Sequence, residues 1–403
     1  MTVNNEGWGS FKTNKWLFTT PSSSFARPRT PISNQRVTVE EEEKAPETPT
    51  IVRANRPRTL SDRGNEILDR HEAVKSLYAF RWTEVKENYQ EKGIHNPSIY
   101  CYAISTIQLL SHIPAVVRLL QEHRCSDPVC LACNWKRFFF NNQNRAGNIA
   151  WFREAFKKQK KFNQGRQEDA HDALLAVIGK LEKVAKMNPR LKDRQLDDDL
   201  FGYTVRNEVQ CRQCNHKHVY YENNTVMTVR MMKKDPSGRR HTIKEYMQQL
   251  FAPSICYDYG CTKCKRKSDA HLRPTLMRAP QILLLHLSRF SYDGYGRKIS
   301  RPVHMNETID VASMATDGHS TIYKFCSSII HGGSTLDYGH YWCVARCRRQ
   351  ETRLVTLNDA SIQYRASVSE IQQSYIALYR RQEHLPVECH GEFSTTGNGH
   401  SMI

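Results

Sequence analysis

The chain lacks any long apolar run. No hydrophobic stretch approaches the roughly 20 residues that a membrane-crossing helix needs, so no membrane partner is expected. The opening stretch, MTVNNEGWGSFKTNK, has no apolar signal-peptide core, which argues against secretion and for an intracellular location. There is no internal repeat. Acidic charge is the scarcer sign: 41 Asp and Glu stand against 59 Lys and Arg, a formal excess of +18. Such an excess can draw an acidic partner such as nucleic acid. Here, however, the basic residues are spread out rather than packed into one block, and no RNA-reading aromatic motif accompanies them. Nucleic acid is therefore a secondary expectation, and the basic tail tilts the expected location only slightly toward the nucleus.

Cysteine, by contrast, is plentiful, with thirteen in 403 residues. The odd total, the CxxC spacings and the missing signal favour reduced thiols and metal ligation over disulfides. Residues 1–75 are rich in Pro, Ser, Thr and Arg without helical or strand periodicity, and read as a disordered tail. Order is expected over 76–382, with a flexible tail at 383–403. Helical spacing recurs at about 102–121, 150–160 and 168–186. From about 202 the texture changes to short β-rich runs such as YTVRNEVQC, HVYYENNTVMTVRM, QILLLHLSRF and HYWCVARC, separated by turn residues. Helices followed by strands imply an α+β fold rather than alternating α/β.

Two CxxC pairs, Cys211/Cys214 and Cys261/Cys264, can bring four thiolates to one tetrahedral ion at the tips of β-hairpins. A closed Cys₄ zinc site stabilises a fold and takes no part in chemistry, so zinc is expected as a structural cofactor. A second group, His123, Cys125, Cys130 and Cys133, falls within EHRCSDPVCLACNW. It could bind another zinc, or its cysteines could be small buried hydrophobes.

Cys101, in HNPSIYCYAISTIQLL, could be a buried thiol, a metal ligand or a nucleophile. It precedes an apolar helical stripe, so it would sit at a helix N-terminus, where unpaired N–H groups favour thiolate. Asn96 lies upstream and could turn its amide toward an oxyanion forming beside the sulfur. A base must come from elsewhere in the chain. His340, next to Gly339 at the start of a strand, would be fixed yet approachable. Asn358 or Asp359, eighteen or so residues on, could orient the imidazole. His171, on a buried helix, reads as structural.

Taken together these segments resemble the ubiquitin-specific proteases. GIHNPSIYCYAISTIQLL is similar to that family's cysteine box, QEDAHDALLAVI to its Gln-Gln-Asp-Ala-His-Glu segment, and APQILLLHLSRF to a characteristic strand. YKFCSSIIHGGSTLDYGHYWCVAR and LNDASI resemble its histidine box and the Asn/Asp segment that follows. The resemblance covers about 90–382, with the boxes in the family's order. It implies a papain-like fold with a helical thumb, a β-rich palm and zinc-bearing β fingers over about 203–285. It implies Cys101 as nucleophile, His340 as base, Asn358 as the residue orienting it with Asp359 as helper, and Asn96 as oxyanion donor. Gln167, Asp169 and Phe290 would line the channel for ubiquitin's tail, gated by the loop from Gly332 to Gly339. The implied function is a deubiquitinating thiol protease acting on ubiquitin and ubiquitinated proteins. One departure stands out: Ser98-Ile99-Tyr100 replaces the family's Gly-Asn-Thr, and losing that Gly could strain the loop. That motivates an alternative, a catalytically weak ubiquitin-binding scaffold.

Overall fold

The computed structural model describes residues 36–38, 73–85, 91–140, 147–163, 165–232, 236–290, 298–335, 338–348 and 350–382. The C-terminal tail expected at 383–403 lies outside these residues, as does nearly all of the N-terminal one. Only Arg36–Thr38 (β1) and the segment from residue 73 are described there.

The helical part comes first. Cys101–Leu110 (α1) and Pro114–Glu122 (α2) replace the single helix expected over 102–121, and the two are bent by 94°. Pro114 explains the break. It disfavours helical backbone at the residue before it, and Ile113 is accordingly extended at φ −107°, ψ 111°. Proline then starts α2, where its missing N–H leaves no helical bond unmade. Next come Leu131–Phe140 (α3), Ala150–Phe156 (α4), Ala170–Lys186 (α5) and Leu196–Leu200 (α6). All ten residues of α1 are buried, so it is the central helix rather than a surface one. Among the described residues no single helix is long and apolar enough to cross a membrane.

Ile94–His95 (β2) and Gly147–Asn148 (β3) form a short parallel pair, and two larger sheets complete the fold. The finger sheet runs β1–β5–β4–β8–β7, built from Tyr203–Cys211 (β4), Lys217–Asn224 (β5), Ser254–Gly260 (β7) and Lys267–Arg278 (β8). β8 carries Pro274 in its interior. Pairing with β7 ends at Leu272, so at Pro274 the strand has only β4 beside it.

The palm sheet contains Met227–Arg230 (β6), Ile282–Ser288 (β9), Thr308–Asp310 (β10), Ile322–Gly332 (β11), His340–Arg346 (β12), Leu354–Asn358 (β13), Ser361–Gln363 (β14) and Ser374–Arg381 (β15). Its order is β14–β13–β12–β11–β15–β9–β6, with β10 beside β11. HVYYENNTVMTVRM, which reads as one strand, is therefore two: β5 ends in the fingers and β6 begins in the palm.

The palm is covered on both faces, which is why its strands read as continuous apolar runs. Along β9, Ile282 and Leu284 face the cluster shared with the thumb helices. Leu283, Leu285 and Leu287 face a second cluster with Ile243, Tyr246 and Met247 of the helix Ile243–Leu250 (α7). Burial of α1 against β11, β12 and β13 thereby sets Cys101 against the strand ends that carry His340 and Asn358.

Candidate active site and metal clusters

Cys101 opens α1 and is buried, with Tyr100 as the residue before the helix. His340 is the first residue of β12, and Asn358 is the last residue of its neighbour β13. His340 Nε2 donates to Asn358 Oδ1 at 2.7 Å, leaving Nδ1 for the Cys101 sulfur. Hydrogen bonding to Cys101 is the largest influence holding the imidazole above its usual value, up to about 9. Asn358 and the Asp359 carboxylate add to this, against desolvation. The nearest Asp359 oxygen lies 4.0 Å from Nε2, so Asn358, not Asp359, takes the imidazole N–H.

Asn96 reaches this centre from the loop before α1. Its Nδ2 donates to Asp359 Oδ2 at 3.1 Å, and its Oδ1 accepts the backbone N–H of Ser98 and Tyr100, each at 3.1 Å. Ile94 N–H donates to Asp359 O at 2.8 Å, which ties the loop to the turn after β13. That contact requires Gly93: a Cβ there would stand 2.1 Å from Ala360 O. The expected loop strain at Ser98-Ile99-Tyr100 is absent. None of the three has a positive φ, and Asn96 Oδ1 folds the turn without glycine.

Gln167 stands closer to the chemistry than a channel wall would. Its Nε2 donates to Cys101 Sγ at 3.0 Å and to Gly339 O at 2.8 Å, while its Oε1 accepts from Gly339 N–H at 3.3 Å. It thus joins the sulfur to the residue just before His340. Asp169 caps α5 by accepting His171 N–H at 2.8 Å, and Tyr375 Oη donates to both carboxylate oxygens at 2.9 and 2.8 Å. Phe290 is buried with its ring centre 5.5 Å from that of His331 and 5.7 Å from that of Tyr375. His171 is buried and stacked on His286 at 4.3 Å, with desolvation lowering its basicity.

Two contributors were not singled out from the sequence. Arg289 is completely buried, and its guanidinium donates to the carbonyls of Ser374, Ile299, Arg301 and Gln372, fixing the segment beside Phe290. His331 lies directly under Gly339, where a Cβ would meet its Nε2 at 2.2 Å. Burial, then Lys298 and His340, push its pKa down to about 4, so it is a neutral ring beside a charged one.

The fingers bring Cys211, Cys214, Cys261 and Cys264 together, with all four Sγ within 4.8 Å of one another. Cys211–Cys264 and Cys214–Cys261 are 4.0 and 3.6 Å apart. These values bracket the tetrahedral edge of about 3.8 Å that a zinc–sulfur bond of about 2.3 Å implies. The set fits a closed structural ion. His123, Cys125, Cys130 and Cys133 form a second such group. Either set can hold a metal ion, and all the described cysteines are free thiols.

With this geometry in hand, comparison with known proteins is informative. The profile of the ubiquitin carboxyl-terminal hydrolase family matches residues 92–379. The chain belongs to that family. A curated relative, ubiquitin carboxyl-terminal hydrolase 36 of Drosophila ananassae, is 28% identical over 292 residues, covering 65% of this chain and 26% of the relative. The chain thus spans about a quarter of the length of such relatives. Among solved structures, the Ubp8/Sgf11/Sus1/Sgf73 SAGA DUB module bound to monoubiquitin matches at a TM-score of 0.62 and 17% identity, covering 77% of this chain and 75% of that one. The same module bound to ubiquitin aldehyde gives the same TM-score, identity and coverage. At that identity the likeness is one of fold: this α+β architecture of thumb, palm and fingers is that of the family.

Proposed function

We propose that this chain is a deubiquitinating cysteine hydrolase that cleaves the bond after the C-terminal glycine of ubiquitin, using Cys101, His340 and Asn358. The observation carrying this reading is the His340 imidazole held between the Cys101 sulfur and Asn358 Oδ1, 2.7 Å away. His340 takes the Cys101 proton, and the thiolate attacks the glycine carbonyl carbon. Asn96, Gln167 and backbone N–H groups at the start of α1 donate to the oxyanion; one such donor is typically worth about 3 kcal/mol. The carbon–nitrogen bond then breaks, and the departing lysine amine takes the proton from His340. Water, giving its proton to His340, attacks the thioester and releases the ubiquitin carboxylate as the thiol re-forms.

Asp359 tethers Asn96 and adds negative charge near the imidazole, a positioning role. Phe290 and the loop residues Gly332, Gly333 and Gly339 flank the path for the substrate tail, while Asp169 keeps the start of α5, and so Gln167, in place. Zinc held by Cys211, Cys214, Cys261 and Cys264 would clamp the two finger hairpins and supply no chemistry. Against the scaffold alternative, none of Ser98, Ile99 and Tyr100 has a positive φ, and the assay below separates the two readings.

Release of a fluorophore from the C-terminus of ubiquitin tests the assignment. The wild type should cleave, and Cys101→Ala should lose at least about a thousandfold in kcat/KM, as loss of a nucleophile does elsewhere. Cleavage that survives in Cys101→Ala, or a folded wild type that does not cleave, would refute it.

A further inference from the structure

The second Cys/His group lies in the thumb, on elements separate from the finger hairpins. His123 caps the C-terminal end of α2, Cys125 lies in the following loop, Cys130 directly precedes α3, and Cys133 is in its first turn. These four positions converge although the loop between them carries no regular structure. His123 Nε2 stands 3.3 Å from Cys125 Sγ and 3.2 Å from Cys130 Sγ, while Cys125 and Cys133 Sγ are 3.6 Å apart. All four ligand atoms lie within 4.8 Å of one another. A tetrahedral ion with bonds of about 2.3 Å to sulfur and about 2.0 Å to nitrogen would have edges of about 3.5–3.8 Å. The Cys125–Cys133 separation falls within that range, and the two imidazole–sulfur distances fall a few tenths of an ångström below it.

We propose that His123, Cys125, Cys130 and Cys133 bind a second structural zinc ion, so that the chain carries two. Three thiolates and one imidazole form a soft, closed ligand set that suits zinc and leaves no position for substrate. Three thiolates around Zn²⁺ leave one net negative charge, and Arg124 and Lys136 border the site. Both hold its backbone: Arg124 donates to the carbonyls of Gln121 and His123, and Lys136 donates to the same two. Asn134 completes the frame by donating to the carbonyls of Pro128 and Cys130.

The ion would stitch α2 to α3 across the 123–130 loop. From α3, Leu131, Ala132, Trp135 and Phe139 enter the core cluster that contains Cys101 and α1, and Trp135 Nε1 donates to Ser111 Oγ at 3.0 Å. The thumb zinc therefore supports the floor under the nucleophile's helix without touching it.

Metal content decides the matter, whether or not the chain hydrolyses ubiquitin. Native mass spectrometry and elemental analysis of the purified full chain should find two zinc ions. The pair His123→Ala and Cys133→Ser should leave one, and the pair Cys211→Ser and Cys264→Ser should also leave one. Cobalt(II) loaded into the latter variant should show the visible bands of a tetrahedral site with three sulfurs and one nitrogen, and adding Cys130→Ser should abolish them. Cys133→His, which keeps a ligand, should retain two zinc ions and controls for misfolding. A wild type with one zinc that vanishes in the finger variant would overturn the proposal. So would two ions persisting in the His123→Ala, Cys133→Ser protein.

Discussion

The finger cluster and the Cys101 centre each converge several side chains on one point, but they do so by opposite means. Each finger knuckle is a local turn, and the same turn is used twice. Asn215 N–H returns to Cys211 O at 2.9 Å, and Lys265 N–H returns to Cys261 O at 3.0 Å. Asn215 and Lys265 both take left-handed backbone, at φ 56° and 58°. The Cys101 centre has no such unit. Asn96 meets Asp359 across 263 residues, Gln167 meets Gly339 across 172, and the close approaches pass through Gly93 and Gly339. A local site fails when a ligand is removed. An assembled site fails when its packing moves.

That contrast can be broken most severely at Gly339. A methyl group there would meet His331 Nε2 at 2.2 Å and Gly332 O at 2.4 Å, so His340 must shift. Gly339→Ala should lower kcat/KM by about a hundredfold, the scale of an ångström-sized misplacement, while metal content stays at the wild-type value. Cys214→Ser should show the reverse pattern. Finger metal should be lost and Tm should fall by about 3–5 °C, as a loss of about 2–3 kcal/mol would produce in a chain of this size. Turnover per folded molecule should fall far less than in Gly339→Ala, with the change carried mainly by KM.

The pH dependence refines the same contrast. The folded pKa of His340 is raised, so its imidazolium persists at neutral pH and is lost as pH rises through about 9. The alkaline limb of kcat/KM should fall near pH 9. Asp359→Asn removes a charge that raises that pKa and should move the limb to lower pH; a limb that stays put or moves up would contradict the assignment. The smallest effect is expected at Ser98→Gly. Because Ser98 occupies ordinary backbone, restoring the family's glycine should change kcat/KM by no more than about twofold, the size of the ±0.5 kcal/mol typical of benign surface changes.

What the sequence made legible follows the same division. CxxC is a self-contained instruction, so both finger knuckles could be read directly from the chain. His340 and Asn358 could be found because each stands at the tip of a short apolar strand, His340 at the start of HYWCVAR and Asn358 at the end of LVTLN, beside turn residues. α7 also carries a readable signal in the chain: Thr242 and Glu245 form a capping box, Thr242 Oγ1 accepting Glu245 N–H at 3.1 Å. Other features depend on partners distant in sequence. Nothing near Gln167 announces that its amide ends on a sulfur 66 residues away, and nothing near Arg289 announces four carbonyls drawn from 299, 301, 372 and 374. The split of one β-rich run between two sheets is likewise set by where β4 and β9 offer edges, not by the run itself.

The most direct test of the central claim is to treat the metal-loaded full chain with ubiquitin bearing a C-terminal electrophile and to map the adduct by peptide mass spectrometry. With thirteen cysteines in the sequence, the choice of site is informative. A single adduct on Cys101, lost in His340→Ala, is the predicted result. An adduct on any other cysteine, or none on the folded protein, would contradict the account.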